Sequence, residues 1–481
     1  MKMLASSTKN PGGRLGHWYI VLASTLSAGL ILGGLVAQVS ALVALGVVWF
    51  IVMLACLANE RVAADVMALC GLVMIAWPTM LAVDFGAPWP LVSGTRLALL
   101  TALVVGFIRF RGQLRVVWPD VKVVMWGWFV LSALGVASAI WSVDKAGAVS
   151  EGMHLMEAPL GALMLAVVAR RGPVARRRVV VAVGVGLAIS ALFALYQSIS
   201  GTSLWSMLPT VARGLSGVGG FRDGTFRAQG LFWNAIAASV GFAMALLCSW
   251  GFLRRQRSPV SLAGSAGMVI LMALALRATG SRTGWVAAAV GVAVYLLVFS
   301  ESRNKAVAFL LGVVIFAGVL SLATGYESDL VGAAGGYGEY ASAGARLIMV
   351  DAVVERSLSN PASLLIGGGM GEFGSLGIWG VYSSGPGLIS APDNDYARVL
   401  AELGLAGLGA MTFLYWSIWR SIRRTHDNLA TRHWGASLYG VFSLFCVAGL
   451  SFSGVGDFQI VLLLLLPVFL LAIPESVAEE R

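Results

Sequence analysis

Apolar residues in this chain come in long, nearly uninterrupted runs. They show neither the two-residue alternation of a half-buried strand nor the one-sided stripe of a surface helix. Such runs lie near 18–36, 39–58, 65–83, 91–108, 123–141, 152–169, 179–199, 231–252, 260–277, 284–300, 306–324, 395–418, 434–452 and 457–473. Each approaches the roughly 20 residues that a helix needs to cross a hydrocarbon core of about 30 Å. Two are interrupted by charge: 91–108 holds Arg96, and 152–169 opens with His154 and Glu157. The pattern predicts an all-α polytopic bundle of about 14 spans, forming one transmembrane domain over 1–481.

Polar segments between the runs set the orientation. Basic residues cluster in six places: before the first run (Lys2, Lys9, Arg14), at 109–122, at 170–178, at 254–257, at 303–305 and at 420–432. With 14 spans all six fall on one side, whereas an error of one span would split them. The positive-inside rule makes that side cytoplasmic, with both termini inside. The first run lacks a small-residue cleavage site and is expected to stay as an uncleaved span. Two loops on the other side are long, about 200–230 and 325–394. Within the second, 344–358 is expected to be helical, with Leu347, Val350, Val354 and Leu358 as its apolar stripe and Asp351 and Glu355 on another face. Ser359-Asn360-Pro361 should end that helix.

Composition agrees with this class. Charged residues make up 12% of the chain against a usual share near 25%, and mean hydropathy is +0.85. A soluble enzyme, a disordered chain and an alternating outer-membrane barrel are all excluded. The net charge of +10 is explained by cytoplasmic loops, and no nucleic-acid partner is implied. Cys56, Cys70, Cys248 and Cys446 sit in apolar runs and read neither as a disulfide framework nor as a metal site. No nucleotide-binding or metal-ligand motif is present, so no cofactor is expected.

The informative charges lie on the side that basic residues normally avoid. Arg222, Arg227, Arg277, Arg282 and Arg346 are all outward in this topology, and Arg277 and Arg282 share the short turn RATGSRTGW. Singly, each could snorkel to lipid headgroups. Together they suit an anionic ligand, because guanidinium pairs with phosphate oxygens and stays charged at any depth. A second group is APDNDYARVLAE (391–402). Asp395, Arg398 and Glu402 share one helix face there, and an Arg398–Glu402 bridge at i, i+4 is the structural alternative to a ligand role. An N-cap accounts for one of Asp393, Asn394 and Asp395, not for all three. Asp144, Lys145, Glu151, His154 and Glu157 make a third outward group, in which a histidine is more often hydrogen-bonded and structural than a base.

Five segments resemble the O-antigen ligase and O-antigen polymerase superfamily: FRAQGLFWN (226–234), SRTGW (281–285), GARLIM (344–349), NPASLLIGGGMGEF (360–373) and DNDYARVLAELGLAGLG (393–409). They stand in the family's order over roughly 190–420. The resemblance implies a bacterial inner-membrane enzyme that works at the periplasmic face. It would transfer a glycan from an undecaprenyl-pyrophosphate carrier, without a metal, to a carrier-linked acceptor (polymerase) or to lipid A–core (ligase). It also implies that Arg227, Arg282 and Arg346 hold the pyrophosphate; Arg222, Arg277, Asn394 and Arg398 join them as candidate substrate-binding residues from their outward placement. One departure is Asp393, which stands where ligases have histidine; it leans the expectation toward a polymerase. Burial raises a carboxylate's pKa toward the useful range, so Asp393, and next Asp395, are the candidate proton acceptors. A chain-length regulator is an expected partner, along with membrane lipids. A lipid-linked glycan flippase is the alternative from another class, though its charges would lie at mid-membrane rather than at the rim.

Overall fold

The computed structural model describes the chain except for residues 1–37, 78–81, 84–91, 203–220, 223–224, 254–257, 300–339, 372, 374–378, 383–384, 389–393, 428–431, 453 and 473–481. Among the described residues the helices are α1 (Gln38–Ala58), α2 (Glu60–Ala76), α3 (Gly94–Arg109), α4 (Arg111–Ala137), α5 (Lys145–His154), α6 (Glu157–Ala169), α7 (Pro173–Ser200) and α8 (Ala235–Leu253). They continue with α9 (Pro259–Ala278), α10 (Arg282–Phe299), α11 (Tyr340–Ser359), α12 (Pro361–Ile366), α13 (Asp395–Asp427), α14 (Arg432–Ala448) and α15 (Phe458–Ala472). Among the described residues three antiparallel strand pairs lie between the helices: Ala82–Val83 with Val92–Ser93, Phe221–Arg222 with Thr225–Phe226, and Trp379–Tyr382 with Gly385–Leu388.

The chain is an all-α polytopic membrane protein, as the sequence predicts. Seven described helices are long and apolar enough to span a membrane by length and composition, and shorter apolar helices accompany them. Twelve of the 14 predicted runs coincide with described helices; 18–36 and 306–324 lie outside the described residues.

Burial separates central helices from peripheral ones. A helix apolar on every side belongs in the interior. In α6 every residue from Gly161 to Ala169 is buried, and so is nearly all of α15. In α9, by contrast, only Met272, Ala275, Leu276 and Ala278 are buried, so most of its apolar surface is left for lipid. Gln459 near the start of α15 is fully buried, and its Nε2 donates to the Ile75 carbonyl at 2.7 Å. That bond satisfies the donor end of the amide within the bundle.

At one end of the bundle, ion pairs join the basic loops to α2 and α4. Arg171 reaches Glu60 at 2.7 Å and Arg178 pairs with Asp65. Arg170 and Arg424 both lie within electrostatic reach of Asp120.

The long loop is partly helical, as expected, but its apolar stripe is turned from the predicted one. Val354 and Leu358 are exposed, and the buried face carries Met349, Val353 and Ser357. The reason is tertiary. Met349 and Val353 pack with Phe373 against the small Ala397 and Ala401 of α13, and an alanine face accepts bulk where the sequence of α11 alone gives no preference. Side chains before Met349, including Leu347, lie outside the described residues.

Candidate functional site

The site is built around two interruptions of regular helix. The first lies in α13, which breaks at Gly404 (φ 62°, ψ −157°). The freed carbonyls of Ala401 and Glu402 accept from the N–H groups of Gly368 and Gly369, each at 2.9 Å. The 365–369 backbone lies so close that a Cβ on Gly404 would sit 2.5 Å from the Leu365 carbonyl carbon. A Cβ on Gly367 would sit 2.2 Å from the Glu402 carbonyl carbon. The two glycine-rich segments, at 367–369 and 404, therefore interlock backbone to backbone and hold the first two turns of α13 in place.

Those turns carry the charges. Glu402 is nearly fully buried, and its Oε2 accepts from Arg398 Nε at 3.1 Å. Arg398 Nη2 also reaches Glu151 of α5 at 3.3 Å, and its guanidinium passes beside Gly456. The i, i+4 bridge expected as the structural alternative is thus present, extended by a third member from another helix.

The second interruption is the loop at 449–457 between α14 and α15. Asp395 is 1% exposed. Its carboxylate accepts from Gly454 N at 2.9 Å and from Val455 N at 3.2 Å, while its own N–H donates to Gly449 O at 2.8 Å. Asn394 caps α13, accepting from Ala397 N at 2.9 Å, and its Nδ2 donates to Leu450 O at 3.0 Å. Ser451 Oγ meets Thr283 Oγ1 at 3.1 Å, which fastens the same loop to the start of α10.

That contact brings in the arginine turn. Arg282 opens α10 and is half-buried; Arg277 ends α9 and is exposed. Ala228 N donates to Ala278 O at 3.2 Å, and the Arg227 side chain crosses Gly280, with its Cγ 3.5 Å from where a Cβ would be. Gln197 and Ser190 of α7 hold the Gln229–Leu231 backbone from below. The α9–α10 turn, the segment at Arg227, the loop at 449–457 and the start of α13 therefore form one continuous contact surface. These contacts link the segments that carry Arg227, Arg282, Asn394, Asp395 and Arg398. Asp393 and the side chains of Arg222 and Arg346 lie outside the described residues, although Arg346 is on α11, which packs on α13.

A further cluster stands beside Glu151. Glu157 binds Arg96 Nε at 2.9 Å through Oε1 and His154 Nδ1 at 2.8 Å through Oε2. Arg96 Nη2 is 3.4 Å from the same Nδ1. In a neutral ring, Nδ1–H donating to the carboxylate would leave Nε2 as the lone-pair nitrogen. Arg96 was absent from the predicted site residues. Its signal was present, since opposite charges interrupt two of the runs, 91–108 and 152–169, and a charge within a span is expected to find a partner. Asp457 ends the loop ahead of α15 and accepts from Ile460 N at 3.0 Å. Burial pushes its carboxyl up to about 6, although backbone N–H groups and nearby His154 pull the other way.

Residues 267–412 match the model of the family described as O-Antigen ligase. The match covers under a third of the chain and contains four of the five motif segments, from SRTGW to the one beginning at Asp393. FRAQGLFWN and the Arg96–His154–Glu157 cluster lie outside it. No curated protein matches the chain. The match supports the O-antigen ligase/polymerase superfamily for this chain.

Proposed function

We propose that this protein is a polysaccharide polymerase of the bacterial inner membrane. It transfers a glycan from undecaprenyl pyrophosphate to an acceptor sugar hydroxyl at the periplasmic face. The observation that carries the proposal is the packing of Arg227 across the turn that leads into Arg282, inside a polytopic bundle whose neighbouring segments match the O-Antigen ligase family. Both termini are cytoplasmic in this proposal, 325–394 is the large periplasmic loop, and the whole chain is one transmembrane domain.

The chemistry follows from the residue types. The acceptor oxygen forms a bond to the anomeric carbon, and the bond from that carbon to the pyrophosphate oxygen breaks. Negative charge grows on the leaving pyrophosphate. Arg227, Arg282 and Arg346, with Arg222 and Arg277 beside them, stabilise it without a metal; hydrogen bonds to charged groups contribute about 1.5–3 kcal/mol each. The acceptor's proton goes to Asp393. Asp395 is a poor candidate for that role, because its oxygens already accept from Gly454 and Val455. Arg398 and Asn394 position the start of α13. A chain-length regulator would act on the growing polymer.

Two observations favour second readings. The matched family is described as O-Antigen ligase, which favours transfer to lipid A–core. The Glu157-oriented imidazole of His154 favours that side chain as the proton acceptor. One reconstitution separates them. Purified protein is given the lipid-linked repeat alone, or with lipid A–core, and products are resolved on a gel. A ladder from the repeat alone supports a polymerase; product only with lipid A–core supports a ligase. Asp393→Asn and His154→Gln are run beside the wild type. The true base should cost about 10²–10⁴-fold. No transfer with either acceptor, from protein that inserts and purifies normally, would refute the function.

A further inference from the structure

A groove of about 1710 Å³ opens between α7, α8, α9 and α15, at the end of the bundle opposite the charged rim. It exceeds the roughly 300–1,000 Å³ of small-molecule clefts. Its walls run over 244–252 of α8, 260–268 of α9 and 462–471 of α15. At 1.5 Å per residue these stretches are about 12–15 Å long, which is one leaflet of a core of about 30 Å. The walls are mostly apolar, with Ser249, Ser261 and Ser265 among them, and the mouth is basic: among the described residues Arg170, Arg171, Arg176 and Arg177 line it, and no aspartate or glutamate does. Arg171 is turned to Glu60, and Arg170 lies near Asp120. Arg176 is held in place by donating to Leu470 O at 2.6 Å. The apolar segments 18–36 and 306–324 carry basic flanks of their own (Lys9, Arg14, Arg303, Lys305), which suit this mouth poorly.

We propose that this groove is a binding site for one anionic glycerophospholipid of the surrounding membrane. The acyl chains lie along α8, α9 and α15, and the phosphate sits against Arg176 and Arg177. Apolar walls one leaflet deep fit acyl chains, and a basic pocket between spanning helices at a headgroup level fits an acidic lipid. The site shares no residue with the proposed glycan-transfer rim, so either can fail without the other.

The test uses the full chain, exchanged into nanodiscs of phosphatidylcholine with or without phosphatidylglycerol. Lipid retained after detergent extraction is counted by mass spectrometry, and the melting temperature is followed as phosphatidylglycerol is added. Retention of phosphatidylglycerol at about one per protein, with a saturable rise in melting temperature, is expected. Arg177→Gln leaves the Leu470 contact intact and should cut the preference over phosphatidylcholine by roughly fivefold, the worth of one arginine near an anionic surface. Gly184→Leu and Gly264→Leu fill the groove; a Cβ at either position meets no atom within 4 Å, so they should fold normally and lose the retained lipid. Equal retention of the two lipids, or undiminished retention in the filled variants, would overturn the proposal. So would recovery of a polyprenyl pyrophosphate in place of the phospholipid. A disulfide between Gly264→Cys and a cysteine placed in 306–324 would show the chain itself covering the groove, and would overturn it as well.

Discussion

Replacing Gly404 by alanine probes the joint that holds the charged turns of α13. At φ 62° and ψ −157° the backbone occupies a region that is essentially glycine-only, and a side chain there costs about 1–3 kcal/mol. The added Cβ would also meet the Leu365 carbonyl carbon at 2.5 Å and Ile366 N at 2.6 Å. Both are backbone atoms that cannot rotate away, and such overpacking costs typically about 1–3 kcal/mol more. If α13 escapes by straightening, the Gly368 and Gly369 N–H groups lose their carbonyl partners, at about 0.5–1.5 kcal/mol each. Every route costs a few kcal/mol. The control is Gly409→Ala, five residues along the same helix, where a Cβ meets nothing within 4 Å and a helical Gly→Ala change is neutral or stabilising by up to about 1 kcal/mol. Melting of both variants in detergent, followed by size-exclusion fluorescence, should show a clear drop for Gly404→Ala and none for Gly409→Ala. Equal melting would mean that the break in α13 is not locked by the 365–369 segment.

Other expectations follow from the same geometry. Arg398→Gln strands the nearly fully buried Glu402 and should destabilise by about 3–5 kcal/mol, discounted for the half-exposed Glu151; adding Glu402→Gln should recover most of the melting temperature. Arg227→Lys, Arg282→Lys and Arg346→Lys should each lower transfer well beyond any change in expression, because lysine cannot make the paired contact; normal turnover in all three would remove them from the pyrophosphate site. Asp457, with its carboxyl raised to about 6, favours the folded state when protonated. Its contribution is therefore full below about pH 4 and lost as pH rises through 6. Melting temperature should fall from pH 5 to pH 7.5, and Asp457→Asn, which still caps α15, should flatten that fall. Cysteines placed at 330 and 385 should react with an impermeant thiol reagent in spheroplasts; reaction only after permeabilisation would reverse the topology.

Much of this protein can be read from one dimension. Run length alone gives the spanning helices, because a bilayer demands about 20 apolar residues with every backbone group bonded inside the helix. Twelve predicted runs are helices here for that reason. Charge placement singles out Arg222, Arg227, Arg277, Arg282 and Arg346 as outward cations, and Arg398 as a charge within a span that needs a partner. The i, i+4 bridge from Arg398 to Glu402 is local and equally legible.

What the sequence leaves open is everything that joins distant segments. Asp395 reads as the second candidate proton acceptor at a helix start, yet its carboxylate accepts from the N–H groups of Gly454 and Val455, 59 and 60 residues away. Arg96 and Glu157 read as flaws in two weak spans, and only packing makes them a pair. The buried stripe of α11 faces Met349 and Val353 inward rather than Val354 and Leu358, because Ala397 and Ala401 of another helix supply the space. Local sequence sets what a residue costs when it is left alone in the membrane. Which partner relieves that cost depends on how the helices meet, and tertiary structure alone decides that.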